Sequence, residues 1–531
     1  MKRILCVAIC LVAAAVAAWG QQRVSGEDIV ILYDNDVHGA VEGYARMAAM
    51  KKMMANQTGN VVTVSCGDFL SGSSYGSLSR GAYLIRLMNS VGYDFVTLGN
   101  HEFDFGIPTL TEQLGNLSAK TVCCNFSSVE GDDLFPGYSL CRVGGKLIAF
   151  VGVTTPTVPT SSTPIFFTDS VGHWKYSFHG DHLDSVIQSN VDKSRREGAD
   201  YVIVLSHLGE SDVPQLVASL RGIDAVIDGH SHTTIADSTL YDKQHKPVLW
   251  TQTGAYFEHV GQLVVYADGR MSSTLIARSE IPEIVTPTVD TLLSVQREYE
   301  AIGSRWVAHS AVNLGRKDYA RGWADCTLGN FFADAYRVVA KAQIGLMNAG
   351  GMRVDIPAGE VTFHHLFSAA PFDNRLIKVE VSGQSIMDAL EFGCYRYPKV
   401  GGGFLQVSGL TYDIDTTVHG HSGECFVEIN EQGIFQKVKG RRRVVNVCVW
   451  DSEKQCFEPI VPEKLYTVAG CDYTLLKHGD GHNFGDVKVL EGDSIPYVDA
   501  LELYIREHLH GSIGPYYALP QKHIRLCVGN K

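Results

Sequence analysis

Between Asp28 and about Ala277 one pattern recurs: a short apolar, β-branched run ends in a polar loop. Ile29 to Tyr33 runs into Asp34-Asn35-Asp36-Val37-His38-Gly39, and Val61 to Val64 into Ser65-Cys66-Gly67-Asp68. Phe95 to Leu98 runs into Gly99-Asn100-His101-Glu102-Phe103-Asp104. Leu147 to Val153 leads to Thr154-Thr155-Pro156, and Tyr201 to Leu205 leads to Ser206-His207-Leu208-Gly209. Ala225 to Ile227 leads to Asp228-Gly229-His230-Ser231-His232. Such runs read as buried strands, and helical periodicity over Tyr83 to Val91 and Leu183 to Arg196 separates several of them. Strands alternating with helices constrain this part of the chain to an α/β fold.

In α/β sheets ligands collect beyond the carboxyl ends of strands. Almost every candidate ligand here falls in that place. Asp36 and His38, two apart in extended chain, can face one point. Asp68, Asn100, His207, His230 and His232 follow other strands. Carboxylates, imidazoles and an amide carbonyl suit hard-to-borderline divalent ions such as zinc, manganese or iron. The set is too large for one tetrahedral ion. It suits two ions about 3.5–4 Å apart that share a bridging carboxylate. Asp68, alone after its strand, is the candidate bridge. His101 can ligate a metal or handle a proton, and Asp104, three residues on, can orient it.

A chain of 531 residues exceeds one ordinary core, so two domains or more are expected. Residues 1–20 read as a secretory signal peptide: Met1-Lys2-Arg3, an apolar run to Ala18, then small residues. That run is short for a membrane span, and no later stretch is long and apolar enough for one, so an exported, soluble protein is expected. Of 13 cysteines, Cys6 and Cys10 lie in the signal; the odd remainder leaves at least one thiol free or paired between chains. A net charge of −13 without a long basic run argues against a nucleic-acid polymer as partner. Residues 21–285 form the expected catalytic domain. A helical, charged connector follows over 286–320, with Thr288 or Asp290 as its cap. The second domain, 321–531, opens with an amphipathic helix over Leu328 to Ala342. A strand from Ile344 to Met347 then ends in Asn348-Ala349-Gly350-Gly351-Met352-Arg353.

The ordered set Asp36-x-His38, Gly67-Asp68, Gly99-Asn100-His101-Glu102-x-Asp104, Ser206-His207-Leu208-Gly209 and Gly229-His230-Ser231-His232 resembles the calcineurin-like metallophosphoesterase pattern. More narrowly, nearly the whole mature chain resembles the exported 5′-nucleotidase / 2′,3′-cyclic-nucleotide phosphodiesterase family. The resemblance implies a four-layer αββα metallophosphoesterase domain followed by a mixed α+β C-terminal 5′-nucleotidase domain. It implies two divalent metal ions, zinc or manganese. Asp36, His38, Asp68 and His232 would hold one; Asp68, Asn100, His207 and His230 would hold the other. His232 stands where the family often has glutamine or asparagine. His101 and Asp104 match the family's catalytic dyad. Asn348 and Arg353 match its substrate-contacting Asn-Gly-Gly-Gly-x-Arg loop, with Ala349 replacing the first glycine. Phe404 and Tyr473 are the aromatics expected to sandwich a base. Asp480, in His478-Gly479-Asp480-Gly481, would accept hydrogen bonds from ribose; Tyr473 lies one residue further from it than is usual. Arg321 loosely matches an upstream family arginine. The implied activity is hydrolysis of nucleoside 5′-monophosphates to nucleoside and phosphate, with 2′,3′-cyclic nucleotides as further substrates. The rivals are a nucleotide-sugar, dinucleotide or sulfur-ester hydrolase of the same superfamily, and a nucleotide-binding surface protein with a dead site.

Overall fold

The computed structural model describes residues 24–169, 173–316, 323–418, 425–430, 433–485, 487–490 and 494–528. The signal peptide with Cys6 and Cys10, the expected boundary at residue 320 and Arg321 lie outside them.

The main strands of the first half are β1 (Ile29–Asp34), β2 (Val61–Ser65), β3 (Phe95–Val96), β4 (Lys120–Thr121), β5 (Tyr138–Val143) and β6 (Lys146–Thr154). They continue with β7 (Tyr201–His207), β8 (Ala225–Ile227), β9 (Thr234–Tyr241), β10 (Pro247–Thr253), β11 (His259–Val265) and β12 (Met271–Ala277). Two six-stranded sheets result, ordered β12-β11-β1-β2-β3-β4 and β9-β10-β8-β7-β6-β5. In the first sheet β1 to β4 pair in parallel and β11 and β12 are antiparallel; in the second, β10, β8, β7 and β6 pair in parallel and the edge strands β9 and β5 are antiparallel.

Side-chain alternation along each strand builds the layers. On β1, Ile29, Ile31 and Tyr33 meet the second sheet, where Phe95 stacks on Phe150 at 4.8 Å. Val30 and Leu32 instead join helices α1 (Glu42–Ala55) and α2 (Ala82–Val91). On β6, Ile148 and Phe150 face the first sheet. Ala149, Val151 and Val153 join helices α3 (Leu183–Arg196) and α4 (Val213–Ser219). Three apolar cores between four layers give the αββα arrangement. They also explain the unbroken apolar runs, because both faces of each central strand are buried.

Helix α5 (Pro287–Gly303) follows. Its cap position is Thr286, which makes no side-chain capping bond; Thr288 and Asp290 lie inside the first turn. Pro287 sets the start instead, since its fixed φ and missing N–H suit the first helical turn. The helix is shorter than expected. Trp306–Ser310 is already a strand, β13, paired with Gly359–Thr362, and its Val307 and Ala308 enter the second core. Leu292 and Val295 of α5 pack into the first half, and Arg86 pairs with Glu298 at 2.8 Å.

The second core surrounds a sheet of β14 (Ile344–Asn348), β15 (Arg375–Ser382), β16 (Leu405–Ser408), β17 (Leu465–Cys471) and β18 (Lys488–Val489), ordered β16-β14-β17-β15-β18. Helix α6 (Thr327–Val339) packs on it, and α7 (Gly383–Cys394) and α8 (Tyr497–Glu507) add further buried side chains. The cysteines whose side chains are described, including vicinal Cys123 and Cys124, are free thiols. Among the described residues no helix is long and apolar enough to cross a membrane.

Candidate functional site

The carboxyl ends of β1, β2, β3, β7 and β8 converge, and the seven predicted ligands come with them. Asp68 Oδ2 lies 3.2 Å from His207 Nε2 and 3.6 Å from His38 Nε2. Asp36 Oδ1 lies 3.4 Å from His232 Nε2 and 3.8 Å from both His38 Nε2 and His207 Nε2. The His230 N–H donates to Asp36 Oδ2 at 2.8 Å, and its ring centre is 5.2 Å from that of His207. Asp68 stands between His38 and His207. Asp36 does so too, which spacing alone did not show.

The donors fit divalent cations. Asp36 Oδ1, Asn100 Oδ1 and His207 Nε2 are buried and have no hydrogen-bond partner. Such orphaned atoms are costly unless something satisfies them. His38 Nε2 and His232 Nε2 approach to 3.0 Å, a distance at which two lone pairs need a proton or cation between them. A Cβ on Gly99 would sit 2.2 Å from Asp68 Oδ1 and 2.7 Å from His207 Nε2, so only glycine leaves the cluster its room.

Hydrogen bonds fix the imidazole tautomers. His207 Nδ1–H donates to the Cys66 carbonyl at 2.6 Å, and His38 Nδ1–H to the Ser71 carbonyl at 3.3 Å, so each Nε2 faces the carboxylates. Burial and neighbouring His207 push His230 down to about 4, keeping it neutral and able to ligate. Burial works against a charged His207, but Asp68 and Asp36 outweigh it and push its pKa up to about 10. That pull on a proton is the pull a cation would feel. Asn100 donates through Nδ2 to the Ser161 carbonyl at 3.4 Å.

Five of the predicted ligands carry left-handed backbone: Asp36 (φ 50°), His38 (45°), Asp68 (58°), His230 (77°) and His232 (58°). Strain of this kind gathers at functional sites, where surrounding structure over-determines it. That structure consists of residues to which sequence reasoning gave no role. Glu102 is wholly buried and accepts the N–H groups of Asp68 (2.7 Å), Phe69 (2.7 Å), Leu70 (3.0 Å) and Gly99 (2.6 Å). Burial and Asp68 push its pKa up to about 7, against the pull of the Leu70, Asp68 and Gly99 donors. Asn35 bridges Asp36 Oδ2 (2.7 Å) and the Gly254 carbonyl (2.7 Å). Asp228 holds the His207 loop through Ser206 (2.7 Å), Leu208 (3.2 Å) and Gly209 (3.2 Å). Glu102 and Asp228 sit inside the motifs, but no local signal shows what they bind.

Next to the ligands, His101 Nδ1–H donates to Asp104 Oδ2 at 2.7 Å. Ser71 donates to the same oxygen at 2.6 Å, and Ser162 to Oδ1 at 3.3 Å. Burial disfavours the imidazolium, but Asp104 and Asp68 outweigh burial and raise His101 to about 9.

Asn100, His101 and Asp104 share a cavity of about 230 Å³ with Asn348, Arg353, Tyr473 and Asp480. Asn348 donates to Asp480 Oδ2 at 3.0 Å, and the Asp480 N–H donates to the Tyr473 hydroxyl at 3.0 Å. Phe404 does not join them. It is 0% exposed within the second core. A ring with no polar group gains by that burial, and its carbonyl accepts the Ala349 N–H at 2.8 Å. Phe404 borders an adjoining cavity of about 550 Å³ with His230 and Asp480, yet offers no free face. Phe372, unremarked in the sequence, lines the first cavity instead. It stacks on His101 with ring centres 6.0 Å apart and planes at 19°.

Two family models match the chain. Residues 30–234 match the calcineurin-like phosphoesterase, and residues 306–486 match the 5′-nucleotidase C-terminal domain. The chain belongs to the 5′-nucleotidase family. It is a hydrolase of phosphoric esters, and enzymes of this class use divalent metals.

The trifunctional nucleotide phosphoesterase protein YfkN of Bacillus subtilis is 26% identical over 453 residues; the match covers 76% of this chain and 30% of that protein. An apyrase of Tabanus yao is 26% identical over 484 residues, covering 83% of this chain and 81% of its own length. The 5′-nucleotidase of Mus musculus is 24% identical, covering 88% and 86%. Among solved structures, a 5′-nucleotidase precursor from Thermus thermophilus superposes with TM-score 0.77 at 24% identity. It covers 95% of this chain and 100% of that one. The sulfate thiohydrolase SoxB from the same organism shares the fold at TM-score 0.70 and 19% identity, covering 96% and 98%.

Proposed function

We propose that the protein hydrolyses nucleoside 5′-monophosphates to nucleoside and phosphate, and opens 2′,3′-cyclic nucleotides as further substrates. Its metal centre lies in the first domain (21–285) and its specificity groups in the second (321–531), joined through residues 286–320. Two divalent ions, zinc or manganese, would be held by Asp36, His38, Asp68 and His232 and by Asp68, Asn100, His207 and His230. The observation that carries this reading is the orphaned trio Asp36 Oδ1, Asn100 Oδ1 and His207 Nε2, buried beside a cleft that the second domain completes.

When bound, the ions supply Lewis acidity toward phosphoryl oxygens and lower the pKa of water. His101, held charged by Asp104, stabilises phosphoryl charge and donates its proton to the departing nucleoside oxygen. Arg353 offers a planar fork to the phosphate. Asp480 accepts hydrogen bonds from ribose hydroxyls. Tyr473 and Phe372 present rings to the base, and every base has a π-face to stack. Action after export is part of the proposal, resting on the signal-like residues 1–20.

The test is phosphate release by the purified chain from mononucleotides, cyclic nucleotides, nucleotide-sugars and dinucleotides, with metal content measured on the same sample. Fastest release from 5′-monophosphates, with two ions per chain, is expected. No turnover of any of them by a chain carrying two ions would sink the reading and leave the binding protein. Turnover confined to nucleotide-sugars or dinucleotides would replace the substrate class.

A further inference from the structure

Tyr256 lies between β10 and β11, outside every motif described above. Its backbone is left-handed (φ 54°), and so is that of Phe257 (φ 53°). Residues with a side chain adopt this region rarely. Two contacts hold it there. The Tyr256 N–H donates to the Asp36 carbonyl at 2.8 Å. The Phe257 ring fills the space over Gly43, where a Cβ would lie 2.1 Å from it. The bend sets the Tyr256 ring beside the metal centre, 5.4 Å from the His38 ring and 5.9 Å from that of His232. Core packing does not account for this, because Tyr256 is 41% exposed.

The hydroxyl does account for it. Arg353 Nη2 donates to the Tyr256 hydroxyl at 3.0 Å, a hydrogen bond that runs from the second half of the chain to the first. The Arg353 guanidinium also lies over the Phe372 ring at 5.6 Å. A guanidinium has five N–H donors. Tyr256 takes one and Phe372 takes a π-contact, which leaves most of the fork free. Arg353 lines the same cavity as His101, and its partner Tyr256 stands beside His38. An unrestrained arginine would have to surrender its rotamer freedom on binding; one already held binds an anion at less cost.

We propose that Tyr256 is a positioning residue that aims Arg353 at a phosphomonoester lying between His38 and His101, so that the phosphate site is complete only when both domains contribute. The inference rests on the reaction proposed above, but its ligand chemistry is testable with inorganic phosphate alone.

The experiment uses the metal-loaded full chain, Tyr256→Phe, Arg353→Ala and the double variant. It measures inorganic phosphate affinity by calorimetry, KM and kcat for a 5′-mononucleotide, and metal content. Tyr256→Phe keeps the ring and the backbone bend. It is expected to weaken phosphate binding about 3- to 10-fold, the scale of one hydrogen bond to a charged group, and to raise KM by a similar factor while kcat changes less than about 2-fold. In the Arg353→Ala background the same substitution should change affinity by less than about 1.5-fold, because interacting residues are not additive. Unchanged binding in Tyr256→Phe, additive losses in the double variant, or loss of metal from Tyr256→Phe would each overturn the proposal. A metal-loaded wild type that shows this coupling but hydrolyses no nucleotide would refute the proposed function and leave the positioning role standing.

Discussion

Replacing Glu102 by glutamine tests whether the metal loops are held from beneath. Oε1 of this buried carboxylate accepts the N–H groups of Phe69 and Leu70, and Oε2 accepts those of Asp68 and Gly99. Glutamine has the same shape but only one oxygen. Its amide nitrogen would face two N–H groups, donor against donor. Each buried donor left without a partner costs about 1–3 kcal/mol, so the pair costs about 2–6 kcal/mol. Against a folding stability of about 5–15 kcal/mol, that is a large share of the total. The loop can relieve the clash by moving, which carries Asp68 away from His38 and His207. Losing a group that orients ligands typically costs about 10–100-fold in metal affinity. A hundredfold loss is about 2.7 kcal/mol, so weakened binding alone does not absorb the upper part of the range, and the rest must appear as lower stability. Urea unfolding of the metal-free protein and zinc titration of the folded protein read the two shares. An unchanged unfolding midpoint together with unchanged zinc affinity would refute the reasoning.

Four further outcomes are expected. His101→Ala should lower kcat by about 10²–10⁴-fold with metal content intact, and full activity in a folded variant would end its role as proton donor. Asp68→Ala should lose both ions; two ions still found by elemental analysis would exclude the shared carboxylate. A chelator should abolish phosphate release and zinc or manganese should restore it, whereas undiminished turnover by verified metal-free protein would exclude a metal-dependent reaction. Tyr473→Ala should raise KM for a mononucleotide roughly tenfold or more, within the range for one stacked base, and raise it far less for a phosphate ester that has no base. Equal increases for both would remove Tyr473 from base recognition.

Within the described residues the strand-and-loop rhythm from Ile29 to Ile227 was legible because it depends on local properties. Apolar, β-branched runs mark strands, and breaks of polar residues mark where strands end. The candidate ligands could be picked out for the same reason: imidazole, carboxylate and amide have intrinsic metal chemistry wherever they sit. The cap of α5 was misplaced because several polar residues near a helix start can serve, and Pro287 decided among them. Phe404 was misplaced because an aromatic after glycines reads alike whether its ring turns outward or into a core.

By itself the sequence determined which groups stand at which strand ends, and therefore what kind of chemistry they support. Only the tertiary structure decided that Asp36 is shared across the cluster, that Glu102 and Asp228 carry the loops, and that Phe372 and Tyr256 flank Arg353. The Asp36 carboxylate meets the His230 N–H from 194 residues away. Contacts at that separation are set by how the two sheets pack and how the second domain lies against them. Residue type and spacing act over a few positions; the left-handed turns at five of the candidate ligands are imposed by the surrounding fold and have no local signature in residues other than glycine.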